Sequence, residues 1–167
     1  MPKNCLIFFR ERGWPVLHVQ HLYTNTQSRF HESQGQDFKD GFQPYPSEPV
    51  FQKIVNSAFI RTNLESYLRD KRIDKLVIAG FNLPHCVSTT TRMAANLGFK
   101  TSLISDATAS FALPNLDGHL IDPELLHTIN LVYLHDEFAQ VMTIEEFMGD
   151  DNEELYAFCT DPKKLDN

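Results

Sequence analysis

Short aliphatic runs alternate with longer amphipathic ones along this chain. That alternation predicts a parallel sheet with helices on its faces. Cys5 to Arg12 reads as the end of a helix stopped by Gly13, and Pro15 to His21 as a strand. Val50 to Val55 reads as a short strand. Thr62 to Lys71 reads as a helix with Leu64, Tyr67 and Leu68 on one face and Thr62 or Asn63 as cap. Lys75 to Ala79 is aliphatic and closed by Gly80, the pattern of a strand buried on both faces. His85 to Leu97 follows as a helix ending at Gly98, and Lys100 to Ser105 as a strand ending at Asp106-Ala107. Asp122-Pro123-Glu124 opens a helix running to about Phe138, with Asp122 as N-cap and Pro123 in the first turn. Gln140 to Thr143 reads as a last strand and Ile144 to Phe147 as a short helix. Two stretches break the alternation. Tyr23 to Pro49 is long, polar and rich in Gly, Pro, Ser and Gln, a surface excursion of the kind that usually carries function. Phe111 to Ile121 is a second loop.

Composition narrows the class without naming it. The 167 residues suit one domain with a real core, and 42% hydrophobic with 22% charged is ordinary for a water-soluble globular protein. No apolar stretch is long enough to span a bilayer, and the first residues lack the pattern of a secretory signal. Three widely spaced cysteines, Cys5, Cys86 and Cys159, make no disulfide framework, so a reducing cytoplasm is expected. A net charge of −7 argues against a nucleic-acid surface. Over half of that excess lies after Phe147, where six acids face two lysines, and residues 148–167 read as a solvated acidic tail on a domain of residues 1–147.

The candidate chemistry centres on Cys86. It stands in Gly80-Phe81-Asn82-Leu83-Pro84-His85-Cys86-Val87, between a buried strand and a helix, outside the carboxyl end of the sheet. Active sites of open α/β sheets lie at that edge, and a helix N-terminus there favours a thiolate. The same position also suits a small buried apolar residue, the usual fate of a free cysteine. Position alone leaves both readings open.

Three segments stand together in order: Lys53-Ile54-Val55-Asn56-Ser57-Ala58-Phe59-Ile60-Arg61-Thr62, Cys86-Val87-Ser88-Thr89-Thr90-Thr91-Arg92-Met93-Ala94-Ala95-Asn96-Leu97-Gly98, and Ser105-Asp106-Ala107-Thr108-Ala109. With Trp14 to His21 and the segment from His127 through Asp136-Glu137-Phe138-Ala139-Gln140-Val141, the set closely resembles the isochorismatase-like cysteine hydrolase family. That family includes nicotinamidases, N-carbamoylsarcosine amidases and isochorismatases, and the likeness spans roughly Asn4 to Phe147. The resemblance implies a three-layer α/β/α fold around a mainly parallel sheet of Rossmann-type strand order. It implies a nucleophilic cysteine at Cys86 and a catalytic lysine at Lys53. It also implies a cis peptide at Phe81-Asn82 and an oxyanion hole from the backbone N–H groups of Asn82 and Cys86. The family's aspartate lies on a first strand ending Asp-x-Gln, and this chain has no such segment. The first strand and its carboxylate are therefore expected to be missing. The loss would leave the catalytic set without its base and the sheet with uncovered edges.

The functional expectation is hydrolysis of an amide C–N bond of a small molecule through Cys86, in a chain whose activity the absent aspartate puts in question. The alternative is a non-catalytic domain derived from the family and used in oligomer or partner contacts. No cofactor and no metal are expected. His18 and His21 are three apart on a strand and point to opposite faces, and His31 and Asp37 do not match a zinc-site spacing. The expected partners are a small-molecule substrate and further copies of the chain in a homo-oligomer, with no nucleic acid and no membrane. Asp106 reads as a turn cap, His85 as a solvent-exposed loop residue, and His119, His127 and His135 as structural. Phe30, Phe38, Phe42, Trp14 and Tyr23 are candidates for an apolar substrate pocket or for the core.

Overall fold

The computed structural model describes residues 2–22, 37–149 and 157–161. It is a three-layer α/β/α domain. In chain order the elements are α1 (Pro2–Glu11), β1 (Val16–His21), β2 (Val50–Lys53), α2 (Leu64–Asp70), β3 (Lys75–Phe81) and α3 (Ser88–Asn96). They continue as β4 (Lys100–Ala109), β5 (Leu113–Pro114), β6 (Leu120–Ile121), α4 (Pro123–Leu134), β7 (Gln140–Met142), α5 (Ile144–Gly149) and β8 (Ala157–Asp161). Six strands form one sheet in the order β2-β1-β8-β3-β4-β7, and every pairing in it is parallel. The short β5–β6 hairpin stands apart, inside the stretch expected to be a loop.

The sheet is apolar on both faces, as a parallel sheet between helix layers must be. On one face Leu17, Val19, Phe51, Leu76 and Ile78 pack with Leu64 and Leu68 of α2, Ala94 of α3 and Leu134 of α4. On the other, Val16, Val77, Ala79 and Ile104 pack with Cys5, Leu6, Phe8 and Phe9 of α1 and Phe147 of α5. Phe9 stacks on Phe147 at 5.7 Å and meets Trp14 edge-on at 5.2 Å. Trp14 and Phe42 thus belong to packing. Phe38 is half-buried and lies edge-on to His18 at 5.3 Å. Tyr23, Phe30 and His31 fall outside the described residues.

Several boundaries differ from the sequence expectation for local reasons. The segment after β3 does not enter an α-helix at once. It makes one π turn over Leu83–Val87, and α3 begins only at Ser88. The helix opened by Asp122 is capped as expected, its carboxylate accepting from Glu124 N and Leu125 N. It ends at Leu134, four residues before Phe138, and the chain then turns through Asp136 at φ +63°. Asn63 gives α2 no side-chain cap; Thr62 Oγ1 accepts from Leu64 N at 3.3 Å instead. β4 runs on to Ala109 because its register with β3 slips beside Gly80, which takes φ +130°, a backbone value other residues rarely adopt.

The largest difference is β8. The acidic stretch expected to be a solvated tail contributes a strand, and that strand lies between β1 and β3 in the middle of the sheet. The expected gap from a missing first strand is therefore filled, and the two inner edges of β1 and β3 are paired. The physical reason is that Ala157-Phe158-Cys159-Thr160 is a short run with strand-favouring residues, enough to complete a parallel ladder even though acids flank it.

One polar cluster pins the loop before β2 to α1 and β1. Arg10 donates to both Glu48 carboxylate oxygens at 2.7 Å, Tyr45 N donates to Glu48 at 2.9 Å, and His18 Nε2 lies 2.8 Å from the same carboxylate. Burial alone would raise the Glu48 carboxyl, but the Arg10 guanidinium, the Tyr45 N–H and His18 outweigh it and hold it at about 2 rather than 4.5. Burial keeps His18 below its usual range, against the pull of Glu48. In both cases the unfolded chain binds more protons, so stability falls with acidification. The Glu48 contribution, on the order of 3 kcal/mol, is expected to be present above about pH 4.5 and lost as the pH falls towards 2. Denaturant unfolding of wild type and Glu48→Gln across that range should show the stability gap between them closing in acid.

Candidate active site at the carboxyl edge of the sheet

Parallel strands end together, so His21 (β1), Lys53 (β2) and Phe81 (β3) reach the same edge of the sheet. His21 and Lys53 are register partners and lie on one face. Beyond β3 the Phe81-Asn82 peptide bond is cis. Asn82 is extended, and its carbonyl accepts from His85 N at 3.1 Å and from Val87 N at 3.3 Å. The second of these closes the π turn that carries Cys86. π turns of this kind recur at functional sites.

Cys86 and Lys53 come together through a third residue. The Lys53 ammonium, 2% exposed on its residue, donates to His21 Nδ1 at 3.0 Å and to the Val55 carbonyl at 3.3 Å. Cys86, 6% exposed, places Sγ 3.6 Å from the same His21 Nδ1 and donates to Asn56 Oδ1 at 3.7 Å. The loop bearing Asn56 is held in turn by α3. Thr90 Oγ1 accepts from Ala58 N at 3.1 Å and donates to the Asn56 carbonyl at 3.4 Å. A thiol, a buried ammonium, an imidazole nitrogen and an amide oxygen therefore converge where a strand gives way to a turn. A cation so placed stabilises negative charge forming on sulfur.

His21 and Asn56 were not singled out from the sequence as site residues. The signal for His21 was available, because a polar residue ending an otherwise apolar strand faces the carboxyl edge. His18, three residues earlier, points to the opposite face and is taken up by Glu48. The remaining candidates lie elsewhere. Asp106 Oδ1 accepts from Ile144 N at 2.9 Å at the start of α5, and its charge bears on Cys5 on the far face of the sheet. His85 is exposed, His127 meets Thr108 Oγ1 at 3.0 Å, His135 Nδ1 accepts from Val141 N, and His119 and Asp37 are exposed. Among the described residues no three His, Cys, Asp or Glu side chains group as metal ligands, and no helix is long and apolar enough to cross a membrane.

The two cysteines with described side chains differ in setting. Burial, helped by the Asp106 charge, drives the Cys5 thiol far above its usual range. Cys5 is thus a protonated core residue at neutral pH, whereas Cys86 Sγ shares His21 Nδ1 with the Lys53 ammonium. In the folded protein iodoacetamide is expected to modify Cys86 well before Cys5, checked by peptide mass mapping over a time course at pH 7.5. Equal labelling of the two would remove the case for an activated thiol at Cys86.

A cysteine after a central strand, a buried lysine at the end of the edge strand β2 and a parallel α/β/α sheet define a class of hydrolase-like domain, and the comparison with known proteins names it. The isochorismatase domain family matches residues 3–146, and the chain belongs to the isochorismatase family. It is 44% identical over 148 residues to the uncharacterized isochorismatase family protein YrdC of Bacillus subtilis, covering 88% of this chain and 79% of YrdC. It is 28% identical over 110 residues to the ureidoacrylate amidohydrolase RutB of Agrobacterium fabrum, a match that covers 66% of this chain and 44% of RutB. Among solved structures it superposes on an isochorismatase-family protein from Chromobacterium violaceum with a TM-score of 0.83 and 33% identity. That superposition covers 87% of this chain and 76% of the other.

Proposed function

We propose that this isochorismatase-family hydrolase cleaves an amide C–N bond of a small molecule, with Cys86 as nucleophile. The observation that carries the reading is the meeting of Cys86 Sγ and Lys53 Nζ at one nitrogen, His21 Nδ1, on the carboxyl edge of the sheet. The sulfur adds to the carbonyl carbon to give a tetrahedral intermediate. The oxyanion is held by the backbone N–H groups of Asn82, just before the π turn, and of Cys86 within it, and Lys53 supports the charge on sulfur. Loss of the amine leaves a thioester, which water resolves. The amide substrate class is supported by the similarity to an amidohydrolase, RutB. No cofactor enters this scheme, and its setting is the cytoplasm.

A panel of small primary amides, ureido acids and N-carbamoyl amino acids tests it, with released ammonia or amine as readout. Turnover on the order of 1 per second or faster on at least one member, the common enzymatic range, is expected. It should stop when one equivalent of iodoacetamide has reacted with Cys86. No hydrolysis of any member by folded protein would leave the contact-domain reading. That reading has its own observation: α4 exposes Leu125, Ile129 and Val132 along one stripe, with Tyr133 beside it. The stripe also suits a homo-oligomer of an active enzyme, and sedimentation velocity distinguishes monomer from oligomer.

A further inference from the structure

We infer that His21 is a positioning residue for the Cys86 reaction: as a neutral imidazole it holds the Lys53 ammonium within reach of the sulfur, and Lys53 acts on Cys86 from the place His21 gives it. The inference rests on the cysteine-nucleophile reading above. It gives a role to a buried ring that the scheme there does not use.

The backbone brings the pair together first. His21 ends β1, Lys53 ends β2, and the two are register partners on one face of the sheet. Leu22 N donates to the Lys53 carbonyl at 2.7 Å, so the two strands stay tied at their carboxyl ends. The two side chains use that anchoring differently. An imidazole is short and stands close to where its strand puts it. A lysine is a compact charge on a flexible four-carbon stem, and its ammonium stays only where acceptors hold it. His21 Nδ1 at 3.0 Å and the Val55 carbonyl at 3.3 Å are two such acceptors. Val55 lies two residues along the same segment as the lysine, whereas His21 reaches it from the neighbouring strand. Cys86 Sγ is 3.6 Å from the same Nδ1. An ammonium anchored on that nitrogen is therefore held beside the sulfur.

A histidine next to a cysteine invites a different role, that of a base for the thiol. Charge decides between the two. Nδ1 has one lone pair, and while it accepts from Lys53 the ring carries its proton on Nε2. To take the Cys86 proton the ring would become a cation 3.0 Å from an ammonium, in a place where His21 is 6% and Lys53 2% exposed. Two like charges so close and so far from water repel strongly. A neutral ring meets no such conflict. The thiol, for its part, donates to Asn56 Oδ1 at 3.7 Å. As negative charge forms on sulfur, the ammonium can turn an N–H from Nδ1 to Sγ, because both contacts centre on one nitrogen. His21 neither gains nor loses a proton in this role. It sets the distance over which Lys53 acts.

The test reads Cys86 directly. Iodoacetamide labelling of Cys86 at pH 7.5, followed by peptide mass mapping, is compared in wild type, His21→Leu, Lys53→Met, the double variant, His21→Asn and His21→Gln. All are made in the full chain, with circular dichroism and thermal melts as fold controls, and kcat and KM are measured beside them on the best amide of the panel. In His21→Leu, labelling and kcat are both expected to fall by about 10–10²-fold with KM little changed, the scale of loss when a reacting group is misplaced by about 1 Å. The double variant should be no slower than Lys53→Met, because the ammonium is what His21 places. Asn sets its carboxamide oxygen about where Nδ1 stands and should recover most of the loss, whereas Gln, one carbon longer, should not. A ring that only supports the fold would show neither the non-additivity nor the difference between Asn and Gln. Wild-type labelling in His21→Leu, losses that multiply in the double variant, or equal rates for Asn and Gln would each overturn the inference. If the Leu variants do not fold, Asn and Gln, both polar at that position, decide alone. If wild type hydrolyses no amide, the amide reading falls by itself and labelling still decides the inference. Cys86-dependent turnover that is the same in wild type and every His21 variant would sink the inference and leave the amide reading standing.

Discussion

Cys86→Ala protein is expected to melt within a few degrees of wild type and to show at least about 10⁴-fold slower hydrolysis, as removal of a covalent nucleophile does elsewhere. The fold should survive because the substitution removes a single buried atom from a site whose neighbours are held independently. His21 is fixed by its strand pairing and by Lys53, and the Asn56 loop is fixed by Thr90. The rate should not survive because nothing else in the turn can form the acyl bond. Pro84 and Leu83 carry no nucleophile, and His85 is exposed. Cys5→Ala serves as the matched control. It removes the same atom from the opposite face of the sheet, from a thiol that burial keeps protonated, and its kcat should equal that of wild type. Initial rates on the best substrate of the panel, with melting curves for all three proteins, decide the matter. Residual turnover in Cys86→Ala within tenfold of wild type would exclude the covalent route.

The largest stability effect is expected at Phe9. Its ring is fully buried, stacks on Phe147 and meets Trp14 edge-on, while Phe8 borders both Trp14 and Phe147. This cluster is what attaches α1 and α5 to the same face of the sheet. Phe9→Ala should cost about 3–5 kcal/mol, the sum of lost transfer energy and a cavity that rigid neighbours cannot close. For a domain of this size that corresponds to a fall in Tm on the order of 10 °C. Phe9→Leu, which keeps most of the volume, should recover more than half of the loss. A Tm change of under 3 °C for Phe9→Ala would mean that α1 contributes little to the fold.

Which parts of this molecule could be read from its sequence follows from how local their causes are. The strand Lys75 to Ala79 and the glycine after it are visible because a both-sides-buried strand needs an unbroken aliphatic run. The start of α4 is visible because Asp122 and Pro123 act within four residues of themselves. The pairing of Lys53 with Cys86 was available only through the family resemblance, since no local pattern connects positions 33 residues apart. The end of α4 was overrun because Val132, Tyr133 and Phe138 continue an apolar rhythm that the backbone abandons at His135, which is extended. β8 was missed for the opposite reason. Its flanks, Asp150, Asp151, Glu153 and Glu154 before and Lys163 and Lys164 after, dominate the composition, and a five-residue strand is recognisable only from the slot that receives it. His21 is legible only from the edge it faces, because its spacing from His18 places the two on opposite faces and carries no sign of a site.

The position of β8 also sets an order of events during synthesis. The strand that completes the middle of the sheet is made after every other strand in it, some 140 residues after the one it pairs with on one side. While the ribosome is still producing residues beyond β7, β1 and β3 stand with facing edges unpaired, and such edges invite other chains. The sheet with β8 between β1 and β3 is therefore complete only once translation has passed residue 161. A product cut short between α5 and β8 would retain both catalytic candidates, Cys86 and Lys53, on a sheet without the strand that joins its two halves, which ties the state of the whole domain to the chain's last stretch.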